Sequence, residues 1–225
     1  MNRYVFVDVE TSGLPLYAKK GEPPPPADAP GQPRLASFTA LCTTDDLEVD
    51  EENSINVMIR PPLIDGVPEW LMSEGATKVN GITDIMLQEE GIPVRDVLAI
   101  YSEYIANGWI VVAHNAQFDT KILRGELRRA GMPDLFDATL NICTMRACIE
   151  ICKIPPTGKQ MATGRRGFKQ PKLMEAYQHF YGEEFPDAHT SMADARACLA
   201  IFRKLVETGM APEPSILYSK SHASA

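Results

Sequence analysis

The hydrophobic pattern of this chain changes its period once, and that change restricts the possible folds more than any other feature. Three early runs alternate apolar and polar side chains, which predicts strands at residues 3–10, 35–42 and 55–60. A short helix is predicted at residues 68–73. Beyond it, helical stripes alternate with two short apolar runs, which predicts helices at 94–107, 119–130, 145–153, 173–181 and 193–208 and strands at 109–114 and 140–143. This order predicts a three-strand antiparallel meander followed by parallel crossover units, hence an α/β domain whose mixed β-sheet is flanked by helices.

Two unusual segments interrupt the predicted domain, which covers residues 1–212. Residues 15–33 contain seven prolines, and this excludes a helix or a central strand. We interpret them as an exposed insertion that leaves the domain. Residues 153–172 contain six basic residues and no acidic one, among several glycines and prolines, which indicates a mobile loop. Residues 213–225 are predicted to form a flexible C-terminal tail.

The composition is that of an ordinary globular protein. Apolar residues make up 44% of the chain and charged residues 23%, and no apolar run reaches the roughly 18 residues that span a bilayer. The N-terminus enters the first strand without the pattern of a secretory signal, so we expect a cytoplasmic protein with no membrane association. The five cysteines include no CxxC pair, and we interpret them as packing residues in preference to zinc ligands. The net charge of −8 argues against a protein that coats nucleic acid through bulk electrostatics.

Four acidic residues stand where the predicted topology lets them meet. Asp8 and Glu10 occupy alternate positions of the first strand and therefore point to the same face. Asp119 follows a buried strand at the start of a helix, and Asp194 lies at the start of the last helix. Each acid alone has an ordinary explanation, because an acidic residue in the first turn of a helix is favourable. Asn115 and either Thr190 or Ser191 are plausible caps of the same two helices.

Convergence of the four carboxylates at one edge of the sheet would cause strong repulsion unless cations compensate for it. Oxygen ligands of this kind suit Mg²⁺ or Mn²⁺, whereas Zn²⁺ prefers a set richer in nitrogen and sulfur and is the second choice. Two such ions about 3.5–4 Å apart would suit the hydrolysis of a phosphodiester.

The same residues resemble the motifs of a known family. Asp8-Val9-Glu10-Thr11-Ser12-Gly13-Leu14 is similar to the first motif of the DEDDh (DnaQ-like) 3′→5′ exonucleases, which include the proofreading subunit of bacterial DNA polymerase III, ribonuclease T and oligoribonuclease. Residues His114-Asn115-Ala116-Gln117-Phe118-Asp119 resemble the second motif of this family. The pattern His189-x-x-x-x-Asp194-Ala195 resembles the third motif, and its histidine is typical of the DEDDh branch of the family. The resemblance runs from residue 3 to about 206 and implies an RNase H-like fold.

One loop departs from the family pattern. Residues 76–83 resemble a loop that more often reads His-Gly-Ile-Thr, and here Asn80 stands in place of the histidine. We expect this replacement to touch no metal ligand.

The resemblance implies a catalytic role for each motif residue. Asp8, Glu10 and Asp194 would hold the metal ion that binds the attacking water. Asp8 together with Asp119, directly or through water, would hold a second ion. His189 would be the general base, a task that suits an imidazole with its pKa near neutrality.

The resemblance also implies contacts with the substrate. The backbone at Thr11 and Gly13 would approach the 3′-terminal nucleotide, Leu14 would press on the terminal base, and Asn115 would help to position the strand end. We further hypothesise that the basic loop binds substrate phosphates through Arg165, Arg166 and Lys172. The alternative is a solvated basic surface, which is what charged runs usually are.

The resulting hypothesis is a 3′→5′ exonuclease that uses two Mg²⁺ ions, with Mn²⁺ able to substitute, and releases nucleoside 5′-monophosphates from 3′ ends of DNA or RNA. Single-stranded ends are favoured. Three alternatives stay open: an RNA-trimming exoribonuclease of the ribonuclease T or oligoribonuclease type, a phosphohydrolase of small nucleotides, and a non-catalytic nucleic-acid-binding module.

Overall fold

The computed structural model describes residues 2–18, 21–162, 164, 166–186 and 190–217, and the predicted α/β fold is confirmed. The described strands are β1 (Tyr4–Thr11), β2 (Leu35–Thr43), β3 (Ile55–Arg60), β4 (Leu63–Ile64), β5 (Val67–Pro68), β6 (Ile92–Pro93), β7 (Ile110–Ala113), β8 (Leu140–Cys143) and β9 (Ser215–Ile216). The described helices are α1 (Glu74–Asn80), α2 (Asp84–Glu90), α3 (Val94–Ala106), α4 (Ala116–Arg129), α5 (Thr144–Ala147), α6 (Ile149–Cys152), α7 (Gly158–Ala162), α8 (Leu173–Tyr181) and α9 (Ser191–Glu207), with a 3₁₀ turn at Phe136–Ala138.

In the described part of the chain, the main sheet has seven strands in the order β6-β3-β2-β1-β7-β8-β9. β1, β2 and β3 form the predicted antiparallel meander, and β7 and β8 extend it in parallel from β1. β6 and β9 add the two edges of the sheet. Because β1 and β7 are parallel neighbours, the residues that follow them lie at the same edge.

Helices cover both faces of this sheet, and alternate side chains of β1 contribute to the two hydrophobic cores on either side of it. Val5, Val7 and Val9 pack on one side with α3 and α4, whereas Phe6 packs on the other side with α8 and α9. Asp8 and Glu10 share the parity of Phe6 and therefore belong to the α9 side. All five cysteines are free, and Cys42, Cys148 and Cys198 are buried in the two cores. None of the described helices is long and apolar enough to cross a bilayer.

The predicted helix at residues 68–73 is wrong. Val67–Pro68 pair with Leu63–Ile64 in a hairpin across Asp65 and Gly66, both of which have positive φ. This is the Asp-Gly turn that favours hairpins, and it was a readable signal. The helix begins instead at Glu74, where the Ser73 hydroxyl accepts a hydrogen bond from the Ala76 amide at 3.2 Å.

Two other differences concern the second half of the chain. The helix predicted at residues 145–153 is divided into α5 and α6, with Cys148 between them. The tail prediction is wrong for residues 215–217, because Ser215–Ile216 pair with β8 and Leu217 is buried. The partner strand is some 75 residues away, so no local pattern announces this pairing. Residues 218–225 lie outside the described part.

The proline-rich segment does not leave the domain as expected. Gln32 is buried, and its side chain accepts from the Leu16 amide at 3.1 Å and donates to the Pro26 carbonyl at 3.2 Å, which closes the base of the segment. The segment lies against α4, where a Cβ on Gly125 would come within 2.5 Å of the Ala27 carbonyl oxygen. The missing side chain of Gly125 therefore permits this docking.

Candidate active site

β1 and α9 bring three carboxylates together. Asp8 and Glu10 project from β1 toward α9, and Asp194 lies in the first turn of α9. The hydroxyl of Thr190 caps this helix by accepting from the Ala193 amide at 3.4 Å. One ligand oxygen from each of the three acids lies within 4.8 Å of the other two, close enough for a shared metal ion.

Asp119 approaches this cluster from the opposite face of the sheet, outside the group of three whose oxygens lie within 4.8 Å of one another. It lies in the first turn of α4 and is only 4% exposed. Burial raises its pKa to about 8, although hydrogen bonds from its own backbone and from the backbone of Val9 oppose the shift. Val9 separates Asp8 from Glu10 in β1, so the Asp119 carboxyl lies beside the three-acid cluster.

The electrostatics of this cluster match a cation site. Burial raises the pKa of Asp8 well above its usual range, and the charges of Asp119, Asp194 and Glu10 add to the effect. Burial also raises the pKa of Glu10 to about 7. Within the described part of the chain, no arginine or lysine forms a salt bridge with Asp8, Glu10 or Asp119. Crowded carboxylates of this kind form the all-oxygen donor set that Mg²⁺ and Mn²⁺ prefer, so the residues present fit such an ion.

The raised pKa values predict how pH and Mg²⁺ affect stability. Without metal, Glu10 and Asp119 keep protons that the unfolded chain has already released near pH 4, so their contribution to stability is lost as pH rises through about 7 to 8. We expect the Tm of the metal-free protein to fall between pH 5 and 8.5, and the Tm increase on adding Mg²⁺ to grow over the same range. Thermal melts with and without Mg²⁺ measure both. Glu10→Gln should flatten the metal-free pH dependence, and a Mg²⁺ effect that is independent of pH would contradict the prediction.

Asn80 corrects an expectation from the sequence. Its side-chain amide donates to the Glu10 carboxylate at 3.3 Å, which lowers the pKa of Glu10 against the effect of burial. Asn80 therefore does contact an expected metal ligand. Its oxygen accepts from the Ile82 amide at 3.1 Å, and this fixes the orientation of the amide group. The substitution within the family pattern was the only sequence signal that pointed to this residue.

The turn after β1 is held by backbone contacts. The Ser12 amide donates to the Arg34 carbonyl, and the Arg34 amide donates to the Ser12 hydroxyl, both at 2.9 Å. The Thr11 hydroxyl donates to the Gly13 carbonyl at 2.9 Å. Leu14 is 88% exposed beyond this turn. An exposed leucine on a fixed turn is suited to contact the flat face of a base.

Asn115 occupies the N-cap position of α4, but its expected role as a side-chain cap is wrong. Its backbone is left-handed, with φ 82°, and its side chain makes no capping hydrogen bond. The Asn115 carbonyl instead accepts from the Phe118 amide at 2.7 Å. Asparagine tolerates this backbone region better than most residues, because its short polar side chain can bond locally.

His114, to which the sequence assigned no role, is a structural link. One ring nitrogen lies 3.0 Å from the Thr144 hydroxyl and the other 3.0 Å from the Pro171 carbonyl. Burial lowers its pKa to about 4, so it is neutral at physiological pH. Because Pro171 precedes Lys172, this histidine fastens one end of the basic segment to the end of β7.

The basic segment is more structured than the predicted loop. It contains α7, and the Lys169 amide donates to the Ile154 carbonyl at 2.9 Å across its base. Lys169 is paired with Glu175, whereas Arg166 and Lys172 are exposed. Arg165 and His189, two predicted site residues, lie outside the described residues.

Comparison with known proteins identifies the family. Residues 5–202 match the exonuclease family RNase_T. The chain belongs to this family. The resemblance is thus confirmed, as is the prediction of a nuclease at the level of the family. Comparison with curated protein sequences gives no match.

Solved structures show the same fold at low sequence identity. Exonuclease I of E. coli in complex with a dA16 oligonucleotide aligns with a TM-score of 0.67 at 19% identity, over 92% of this chain and 41% of that chain. A zinc-bound complex of the same E. coli enzyme with single-stranded DNA aligns with a TM-score of 0.66 at 20% identity, over the same shares. A 3′-exonuclease that recognises the 3′ end of a histone mRNA stem-loop aligns with a TM-score of 0.64 at 13% identity, over 96% of this chain and 85% of that chain. This chain therefore spans less than half of exonuclease I.

Proposed function

We propose that this protein is a metal-dependent 3′→5′ exonuclease that hydrolyses the terminal phosphodiester of DNA or RNA and releases nucleoside 5′-monophosphates. The observation that carries the proposal is the cluster of Asp8, Glu10 and Asp194, with their oxygens within 4.8 Å and Asp119 beside them, in a member of the exonuclease family. Single-stranded 3′ ends are the proposed substrate, acted on in the cytoplasm.

The carboxylates are proposed to hold two Mg²⁺ ions, for which Mn²⁺ can substitute. Asp8, Glu10 and Asp194 would bind one, and Asp8 with Asp119 the other. Bound there, the ions would supply Lewis-acid stabilisation of the charge that develops on the phosphodiester. Asn80 would hold the Glu10 carboxylate in place through its 3.3 Å hydrogen bond. Such a support of a metal ligand is typically worth about 10- to 100-fold in metal affinity or activity.

The remaining proposed roles are to accept the proton of the attacking water and to bind the substrate. His189 would take the proton of the attacking water. Of the four histidines in the chain, His114 is unsuited to this role, because both of its nitrogens are engaged and burial lowers its pKa to about 4. The backbone at Thr11 and Gly13 would approach the terminal nucleotide, Leu14 would press on its base, and Asn115 would position the strand end.

A substrate panel tests this proposal. End-labelled single- and double-stranded DNA, RNA and short oligoribonucleotides would be incubated with Mg²⁺, with Mn²⁺ or with chelator. We expect stepwise shortening from the 3′ end, release of 5′-monophosphates and loss of both with chelator. Products of internal cleavage, or binding with no hydrolysis on any substrate, would contradict the proposal. A preference for RNA ends would favour the exoribonuclease alternative.

The basic segment carries a separate prediction. If Arg165, Arg166 and Lys172 bind phosphates, the double variant Arg165→Ala/Arg166→Ala should raise KM with little change in kcat. The slope of log KM against log salt should fall by about 0.7 for each single-strand phosphate contact that is lost. Lys204→Ala is the control, because Lys204 lies on α9 and is paired with Glu207. An unchanged KM and salt slope would identify the segment as a solvated surface.

A further inference from the structure

A pocket of about 460 Å³ lies beside the turn that follows β1. The residues Ser12, Gly13 and Leu14 form one wall, and they come directly after the acidic residues of β1 and Thr11. Residues 28–33 of the proline-rich segment form another part of the lining, and Trp70 also lines the pocket. Its volume is within the range of about 300–1,000 Å³ typical of pockets for small organic ligands.

Two planar groups line this pocket. The guanidinium carbon of Arg34 lies 5.6 Å from the centre of the Trp70 ring, and both side chains belong to the lining. Aromatic rings and guanidinium planes are the surfaces on which unpaired bases stack, largely regardless of base identity. The pocket therefore offers the chemistry of a base-stacking site.

The charges indicate a neutral ligand rather than a phosphate. The described residues that line the pocket include two arginines and two acids, namely Asp28, Arg34, Glu69 and Arg129. Arg34 forms salt bridges with Glu126 at 2.9 Å and with Glu69 at 3.1 Å. Arg129 is paired with Glu126 at 3.0 Å. Because neighbouring carboxylates neutralise both guanidinium groups, the described residues of the pocket carry no excess of the positive charge that a phosphate site needs.

The part of the lining formed by residues 28–33 is fixed to the body of the domain. Gln32 closes the base of the segment through Leu16 and Pro26, and the Ala27 carbonyl packs on Gly125 of α4. Prolines at positions 30 and 33 stiffen this wall further. A wall held in this way preorganises the pocket, which reduces the entropic cost of binding.

We propose that this pocket binds one unpaired nucleobase of the strand whose 3′ end enters the acidic cluster. The inference rests on the proposed exonuclease function and deepens it by naming the substrate class, because a base must be unpaired before it can enter this pocket and stack on Trp70. The proline-rich segment is then the part of the chain that selects single-stranded ends.

Position-specific removal of bases tests this proposal. Oligonucleotides with one abasic nucleotide at each of the last four positions would be compared with the intact strand through kcat/KM. We expect one internal position at which base removal costs about 5- to 150-fold, the range for loss of one stacked base. In Trp70→Ala the intact strand should lose a similar factor, and the penalty at that position should disappear. Tyr17→Ala is the matched control, an exposed aromatic on the same segment that does not line the pocket.

Trp70 also packs against two apolar clusters, so Trp70→Ala could disturb the fold as well as the pocket. A second variant that keeps Trp70 separates the two effects. Gly125→Ala leaves Trp70 intact but places a Cβ 2.5 Å from the Ala27 oxygen, and it should reduce the position-specific penalty by displacing the wall. Penalties that are equal at all four positions, or that persist in both variants, would overturn the pocket proposal while hydrolysis itself continued. If the wild-type protein hydrolysed nothing, fluorescence anisotropy with the same oligonucleotides would decide the pocket separately: a position-specific loss of affinity supports it, and its absence overturns it.

Discussion

Asp8→Asn is expected to abolish metal-dependent hydrolysis and, in the same protein, to raise the Tm of the metal-free form. Asp8 is the one carboxylate proposed to contact both ions. Loss of groups that only support a ligand already costs about 10- to 100-fold, so loss of this ligand should exceed about 100-fold. Stability should change in the opposite direction, because burial and three neighbouring acids raise the pKa of Asp8 and make its ionised form unfavourable at neutral pH. A neutral side chain of the same shape removes that cost.

The two readouts make the Asp8 experiment selective. Hydrolysis of a labelled single strand and thermal melts in chelator would be measured on wild type, Asp8→Asn and Asp45→Asn. Asp45 is exposed in the connection between β2 and β3, so its substitution should change neither value. A variant that was inactive but less stable would indicate general damage to the fold. Activity near that of the wild type would refute the assignment of the acidic cluster.

His189→Ala is expected to lower kcat by about 10²–10⁴, the usual contribution of a positioned general base. Folding and Mg²⁺ binding should be kept, because the helix that follows is capped by Thr190 and the carboxylates are untouched. The pH profile should also change. The wild-type rate should rise with pH as an imidazole loses its proton near neutrality, and the variant should lack this step.

Other histidines supply the control for that experiment. His179→Ala should leave kcat and the pH profile unchanged, because His179 is exposed on α8. Rates would be measured under single-turnover conditions with saturating Mg²⁺, so that substrate binding and metal binding do not limit them. A loss of less than about 10-fold in His189→Ala would contradict the role of a general base.

Most of the sheet could be predicted because its signals are local. The alternation along β1 identifies both of its faces, and the continuous burial of β7 matches the short apolar run in the sequence. The helix predicted at residues 68–73 overlaps the end of a hairpin at residues 63–68, whose turn Asp65-Gly66 is a sequence signal for a hairpin. The strand β9 and the docking of the proline-rich segment depend on partners far away in sequence, for which a local pattern contains no information.

The candidate site likewise has features that the sequence predicts and features that only the structure shows. Asp8, Glu10, Asp119 and Asp194 could be selected from the sequence because together they match the three motifs of the exonuclease resemblance, although each acid alone has an ordinary explanation. The hydrogen bond from Asn80 to Glu10 was not predictable, since 70 residues separate the two and they meet only when α1 packs beside the end of β1. The structural role of His114 was likewise not predictable, because the sequence does not show whether a histidine in a motif is buried and neutral or exposed and titratable.

The sequence by itself determined the family, the α/β class and the acids that stand at the candidate site. The α/β class follows from periodicity, and the family was indicated by the resemblance of three short motifs, which contain these acids, to those of known exonucleases. Only the tertiary structure decided that three carboxylates lie within 4.8 Å of one another, that their pKa values are raised, and that a proline-rich segment walls a neutral pocket beside them. Distance, burial and ion pairs arise only when remote segments pack together. Burial and neighbouring charges raise the pKa values of the acidic cluster, and the pairing of Arg34 with Glu126 neutralises a guanidinium group of the pocket.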